Sequence, residues 1–276
     1  MPTIVRTLVD LDNAIESALK RDRFIVVCAL ALVFALAWTY LLSGAGTGMS
    51  AIEMTRMTVA NSGMVMLTPA VWDLNYAVIM FVMWWVMMTA MMLPSATPMV
   101  LLFATMNRKQ KNTGNPYVPT SIFASAYLIA WAGFSLAAVA LQWSLESVAL
   151  LSPSLASASV VFGGVVLLAT GVYQFTPLKQ ACLRHCRSPL QFILTRWRGG
   201  TKGAFWMGLE HGAYCVGCCW FLMGLLFFGG VMNLYWIAGI AVFVLIEKSV
   251  PGGHWLGYVT GTALIAAGGV VLAGNA

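Results

Sequence analysis

The chain has 276 residues, 60% of them hydrophobic and 9% charged, with a mean hydropathy of +0.84, values that place it in the multispanning membrane class. A net charge of +6 and a pI of about 9.1 would suit a nucleic-acid binder. With the N-terminus set inside, however, every Lys and Arg except Arg56 falls on the inner side of the spans, so the basicity reports topology and contact with anionic lipid heads.

Apolar stretches predict about seven spans, at 24–43, 76–106, 120–142, 155–175, 203–228, 232–247 and 254–274. The expected fold is an all-α polytopic transmembrane bundle, N-terminus inside and C-terminus outside, forming a single integral membrane domain over 1–276. Its first apolar run is longer than the core of a signal peptide and follows Asp10, Asp12, Glu16 and Asp22, which predicts an uncleaved anchor. The outer loop 44–75 is rich in Gly, Met and Thr, and its part from 51 to 66 is expected to lie along the interface as a helix.

The second span carries methionines in two stripes. Met80, Met83, Met87 and Met91 form one, and Met88 with Met92 forms a second edge. Pro94 and Pro98 are expected to break this helix. In the basic inner loop 176–202, Thr176-Pro177 is a helix start and Ser188-Pro189 a stop, so a helix of about three turns is predicted between them. Tyr173 with Gln174, Glu247 with Lys248, and His254 are expected to sit at the interface as anchors.

The fifth span holds the most unusual run, GLEHGAYCVGCCWFLMG. At 100° per residue, Met207, His211, Cys215 and Cys218 share one stripe, with Cys219 at its edge. Polar and ionisable side chains at bilayer depth are expensive and usually line a functional path. Imidazole, thiolate and thioether on one face make a soft-metal site, although cysteine also serves as a small buried residue and methionine as a gap-filler. Met87 and Met91 lie at comparable depth and are candidate co-ligands.

A second cluster, Cys182, His185 and Cys186, occupies one face of the inner-loop helix, where Arg184 and Arg187 would favour thiolate. His211 lies about 12 Å and Cys215 about 18 Å into the span at 1.5 Å per residue. The inner-loop cluster belongs at the membrane surface, so two sites relaying one ion are expected. Phosphate loops, nucleophile elbows, H-E-x-x-H and dinucleotide fingerprints are absent from the sequence.

The runs MMLPSATPM, YQFTPLKQACLRHCRSP and HGAYCVGCCW, in this order, resemble a bacterial family of metal-binding integral membrane proteins over roughly residues 76 to 250. The resemblance implies membrane location and metal binding, and the expected setting is the bacterial inner membrane.

Three functions follow as expectations. The first is copper handling, with zinc as the other candidate ion, and delivery to a membrane metalloprotein or exchange with a metallochaperone. The second is a metal-dependent or thiol-redox enzyme with Glu210 as acid/base. The third is a structural subunit in which Gly163, Gly164, Gly268 and Gly269 give close helix contacts to a partner.

Overall fold

The computed structural model describes residues 23–59, 72–111, 118–152, 155–157 and 159–274. Within these the chain is helical, and strand pairing is limited to one bridge, Leu151 with Ser157. The helices are α1 (Arg23–Leu42), α2 (Ala51–Val59), α3 (Leu74–Lys111), α4 (Thr120–Ser147), α5 (Val160–Tyr173) and α6 (Pro177–Arg187). They continue as α7 (Pro189–Arg196), α8 (Gly200–Gly224), α9 (Leu226–Gly229), α10 (Leu234–Ser249) and α11 (His254–Ala273).

Among the described residues five segments are long and apolar enough to cross a membrane, namely α1, α3, α4, α8 continued through α9, and α11. The pair α5 and α6 qualifies only together, bent by 64° at the break between them. With 16 residues, α10 extends about 24 Å at 1.5 Å per residue, short of a hydrocarbon core of about 30 Å.

Local chemistry explains the boundaries. Ser50 and Glu53 form a reciprocal capping box at α2: the Ser50 N–H donates to Glu53 Oε2 at 3.0 Å and the Glu53 N–H to Ser50 Oγ at 3.3 Å. The Ser50 hydrogen bonds hold the Glu53 carboxyl below the usual carboxylate range. This helix covers the first part of the interfacial segment expected over 51–66, and 60–66 lie outside the described residues. At α6, Thr176 Oγ1 accepts from the Lys179 N–H at 3.3 Å with Pro177 at the first helical position, as its sequence predicts. Ser188-Pro189 ends that helix and also starts the next.

Pro94 and Pro98 do not break the second span. Both lie inside α3, which runs unbroken for 38 residues. Each proline removes one N–H from the ladder, which frees the carbonyls four residues back, those of Ala90 and Pro94; a helix inside a membrane bundle tolerates such breaks. Ser95 Oγ and Thr97 Oγ1 make separate side-chain bonds, to Met92 O and Leu93 O, both at 2.9 Å.

Helix α8 is the centre of the bundle, with α4, α6 and α5 packed around it. Gly212 lets α4 approach, since a Cβ there would meet the Ala130 Cβ at 2.5 Å. The glycines expected to serve an external partner are partly used inside the chain. A side chain at Gly164 would strike Leu272 at 2.6 Å, and one at Gly268 would meet the Gly164 carbonyl at 3.0 Å, so these two weld α5 to α11. Gly163 faces Phe228, while Gly269 has open space.

Candidate metal centre

The 64° bend between α5 and α6 folds the inner-loop helix back against α8. Tyr173, at the end of α5, fixes this corner: its hydroxyl donates to the Gly217 carbonyl at 2.5 Å. Gly217 in turn leaves room for Cys182, because a Cβ there would sit 2.7 Å from Cys182 Sγ. One turn further along α6, Cys186 Sγ lies 4.0 Å from Cys218 Sγ. The expectation of two separate sites is therefore corrected. The loop cysteines and the span cysteines line one buried sulfur cluster, because the loop helix turns inward instead of staying at the surface.

Around that contact the remaining thiols are held in place. Cys218 Sγ donates to the Cys215 carbonyl at 3.1 Å and Cys219 Sγ to the same carbonyl at 2.9 Å. Met92 Sδ is 3.9 Å from Cys219 Sγ, which brings a thioether to the cluster from α3. Tyr127 of α4 places its hydroxyl 3.1 Å from Cys215 Sγ. From α10, Lys248 Nζ donates to Cys215 Sγ at 3.0 Å and to Ser95 Oγ at 3.3 Å. All of these sulfurs are buried.

Other expected ligands stand elsewhere. His211 is buried one turn below Cys215, its ring centroid 5.9 Å from Tyr127, 6.2 Å from Phe123 and 5.5 Å from Phe192. Its Nδ1 has no hydrogen-bond partner among the described residues. Met207 packs in a separate apolar cluster with Met99, Phe103 and Phe192, and its sulfur accepts from the Arg198 N–H at 3.3 Å. His185 does not face the sulfurs through Nδ1, which lies 2.9 Å from the Ala181 carbonyl of its own helix, and its ring stacks on Tyr214 at 4.1 Å. Met87 and Met91 are buried in the same core as the cysteines, with Met92 making the recorded contact to a thiol.

Glu210 pairs with Arg196 at 2.9 Å and Arg198 at 3.7 Å, tying α8 to the end of α7 and the segment after it. The residues read as interfacial anchors at the ends of the fourth and sixth spans are instead interior. Tyr173, Gln174, Glu247 and Lys248 are all buried, and Glu247 Oε1 pairs with Lys179 Nζ at 2.6 Å. Lys179 also donates to Gln174 Oε1. The side chain of His254 lies outside the description. Lys248, Tyr127 and Met92 are the parts of the centre that the ligand reading missed. The available signal was weak: a Lys at the end of an apolar run looks like an anchor, and Met92 differs from Met91 by one helical step.

Among the described residues no three Cys, His, Asp or Glu side chains converge as a finished ligand shell. Two thiols on different helices, Cys186 and Cys218, do approach each other. An ion about 2.3 Å from each of two sulfurs 4.0 Å apart would see them at an angle of about 120°. That arrangement, with a thioether nearby, suits a soft ion of low coordination number.

No curated protein and no solved structure matches the chain. Residues 81–271 match the PpoB2 family, described as copper chaperones, and this match contains five of the six cysteines, all those of the sulfur cluster. The resemblance to a metal-binding family seen in the three motifs is thus borne out, and the chain belongs to the PpoB2 copper chaperone family.

Proposed function

We propose that this protein is a membrane-embedded copper chaperone that takes Cu(I) as cargo into the sulfur cluster and hands it to a membrane metalloprotein. The observation that carries the reading is the approach of Cys186 on α6 to Cys218 on α8 at 4.0 Å, in a chain of a copper chaperone family. Thiolate and thioether are soft donors, so the chemistry favours Cu(I) over zinc, which prefers four ligands in a closed tetrahedron. Cys215, Cys218, Cys219 and Cys186 form the thiol set, with Met92 as the thioether. Cys182 flanks it, as does His211, whose Nδ1 has no partner among the described residues.

The proposed setting is the bacterial inner membrane, N-terminus inside, with the seven predicted spans. The crossing count above five rests on α5 with α6 and on α10. The bent α6 carries two of the cysteines, so it lies on the route by which cargo enters and leaves. Arg184 and Arg187 on the same helix would face the anionic inner leaflet.

Metal analysis of the intact protein tests the reading. Purified under reducing conditions after copper supplementation, the wild type should hold copper in preference to zinc, and a Cys215→Ser, Cys218→Ser double variant should lose it. Wild-type protein without copper under these conditions would overturn the proposal.

A further inference from the structure

Outside the sulfur cluster, α1 stands off from the bundle. Only 11% of its apolar window is buried, and the gap it leaves against α3 and α4 is a cavity of about 620 Å³. That is the size of a small-ligand site, about 300–1,000 Å³, and far more than one water or ion fills. The body of the cavity is apolar, with Leu30, Leu101 and Leu128 in its wall, and it opens past Ile25 and Val33, which are 55% and 40% exposed. Apolar walls do not hold ordered water, and a dry void of this size would forfeit dispersion contacts along its whole lining.

The two ends of the cavity differ in chemistry. Val26 and Leu30 of α1 pack with Phe103 and Val118, while Ala37 and Leu41 join the core of Met80 and Met83, so α1 runs antiparallel to α3. This direction brings Arg23 at the start of α1, Arg108 in the last turn of α3, and Thr120 with Ser121 at the start of α4 to one end of the cavity. No Asp or Glu lines it among the described residues. Guanidinium groups bind phosphate oxygens bidentately, and the uncapped start of α4, with no acidic residue in its first turn, adds positive potential beside them. From Arg23 to Val33 the wall rises through ten residue steps, about 15 Å at 1.5 Å per residue. Half of a hydrocarbon core of about 30 Å is the same depth, that of one leaflet.

We propose that this cavity binds one anionic membrane phospholipid, its phosphate held at Arg23, Arg108 and the start of α4 and an acyl chain lying along α1. A zwitterionic lipid offers the same phosphate but brings a cation up to the two arginines, so the net negative headgroup is preferred. The lipid wedges α1 against the bundle and supplies the apolar contacts that this helix otherwise lacks. Tyr127 is the one residue common to the described wall and the sulfur cluster. The proposal rests on the chain lying in a membrane and is independent of its copper cargo.

Native mass spectrometry of the detergent-purified full chain tests it, with equimolar dioleoyl phosphatidylglycerol and dioleoyl phosphatidylcholine as probes. Wild type should retain one phosphatidylglycerol about tenfold or more over phosphatidylcholine. Arg23→Gln with Arg108→Gln should abolish the preference, and Arg23→Lys with Arg108→Lys should keep most of it. Arg23→Gln alone, at an exposed position, should lower it if the pair does not accumulate. Arg184→Gln with Lys202→Gln removes the same charge from exposed positions outside the cavity and should leave the preference intact. Ala104→Trp, which fills the cavity, should lower retention of both lipids. Equal retention of the two lipids by the wild type, or equal loss of preference in the two Gln pairs, would overturn the proposal. A dimer free of lipid in the same spectra would also overturn it, since a second copy of the chain would then cover α1.

Discussion

Cys186→Ser is expected to strip copper from the purified protein as fully as Cys218→Ser, although Cys186 sits in a loop helix and Cys218 in a span. Both sulfurs belong to one contact, 4.0 Å across the α6/α8 boundary, so either substitution leaves an ion with a single thiolate from the pair. Loss of a supporting contact at a metal site costs about 10–100-fold in affinity, and loss of a direct thiolate should exceed the lower end of that range. His185→Ala provides the contrast. Its Nδ1 faces the Ala181 carbonyl and its ring stacks on Tyr214, so copper content should stay near wild type. Mass-spectrometric metal content per chain reads both variants. Full copper retention in Cys186→Ser would place the loop outside the site.

Glu247→Gln is expected to be the most destabilising substitution of the buried charges. It leaves Lys179 as an unpaired ammonium in a site with no exposure, and breaking a buried pair in this way costs about 3–5 kcal/mol. For a chain of this size that corresponds to a fall in thermal midpoint on the order of 10 °C. The double variant Lys179→Met, Glu247→Met removes both charges and should recover most of the loss, since apolar replacement of a whole buried pair is often neutral or stabilising. The pair also bolts α6 to α10, because Lys179 is in the first turn of α6. Glu247→Gln should therefore also weaken copper retention, by loosening the helix that carries Cys182 and Cys186. Thermal unfolding in detergent checks the stability effect, and an unchanged midpoint in Glu247→Gln would contradict it.

That Glu247–Lys179 pair is an expensive way to hold a helix. Glu247 Oε2 and Gln174 Nε2 have no hydrogen-bond partner among the described residues, so the polar site is not fully satisfied by the protein itself. Ionisable groups are retained at such depth where they serve a function. Here the pair cancels one charge and leaves the neighbouring Lys248 to the thiols.

Much of this arrangement was legible in the sequence. Long apolar runs marked the spans, and Thr176-Pro177 with Ser188-Pro189 marked the ends of α6, because caps and prolines act locally. The cysteines of α8 were recognisable from the cost of polar side chains at depth. The inward turn of α6 was not, since a 64° bend depends on what Tyr173, Gly217 and Lys179 touch across the bundle. For the same reason Glu247 and Lys248 read as anchors: their partners lie 68 and 33 residues away, on α6 and α8. Pro94 and Pro98 misled through a sound local rule, because a helix in lipid tolerates a missing N–H better than one in water does, and α3 continues across both.

Copper K-edge X-ray absorption on the copper-loaded full chain tests the central claim most directly. A sulfur-bound Cu(I) cargo predicts an edge of monovalent copper and a nearest shell of two or three sulfurs at about 2.3 Å, with no dominant nitrogen or oxygen shell. A Cu(II) edge, or a first shell made of nitrogen and oxygen, would contradict it.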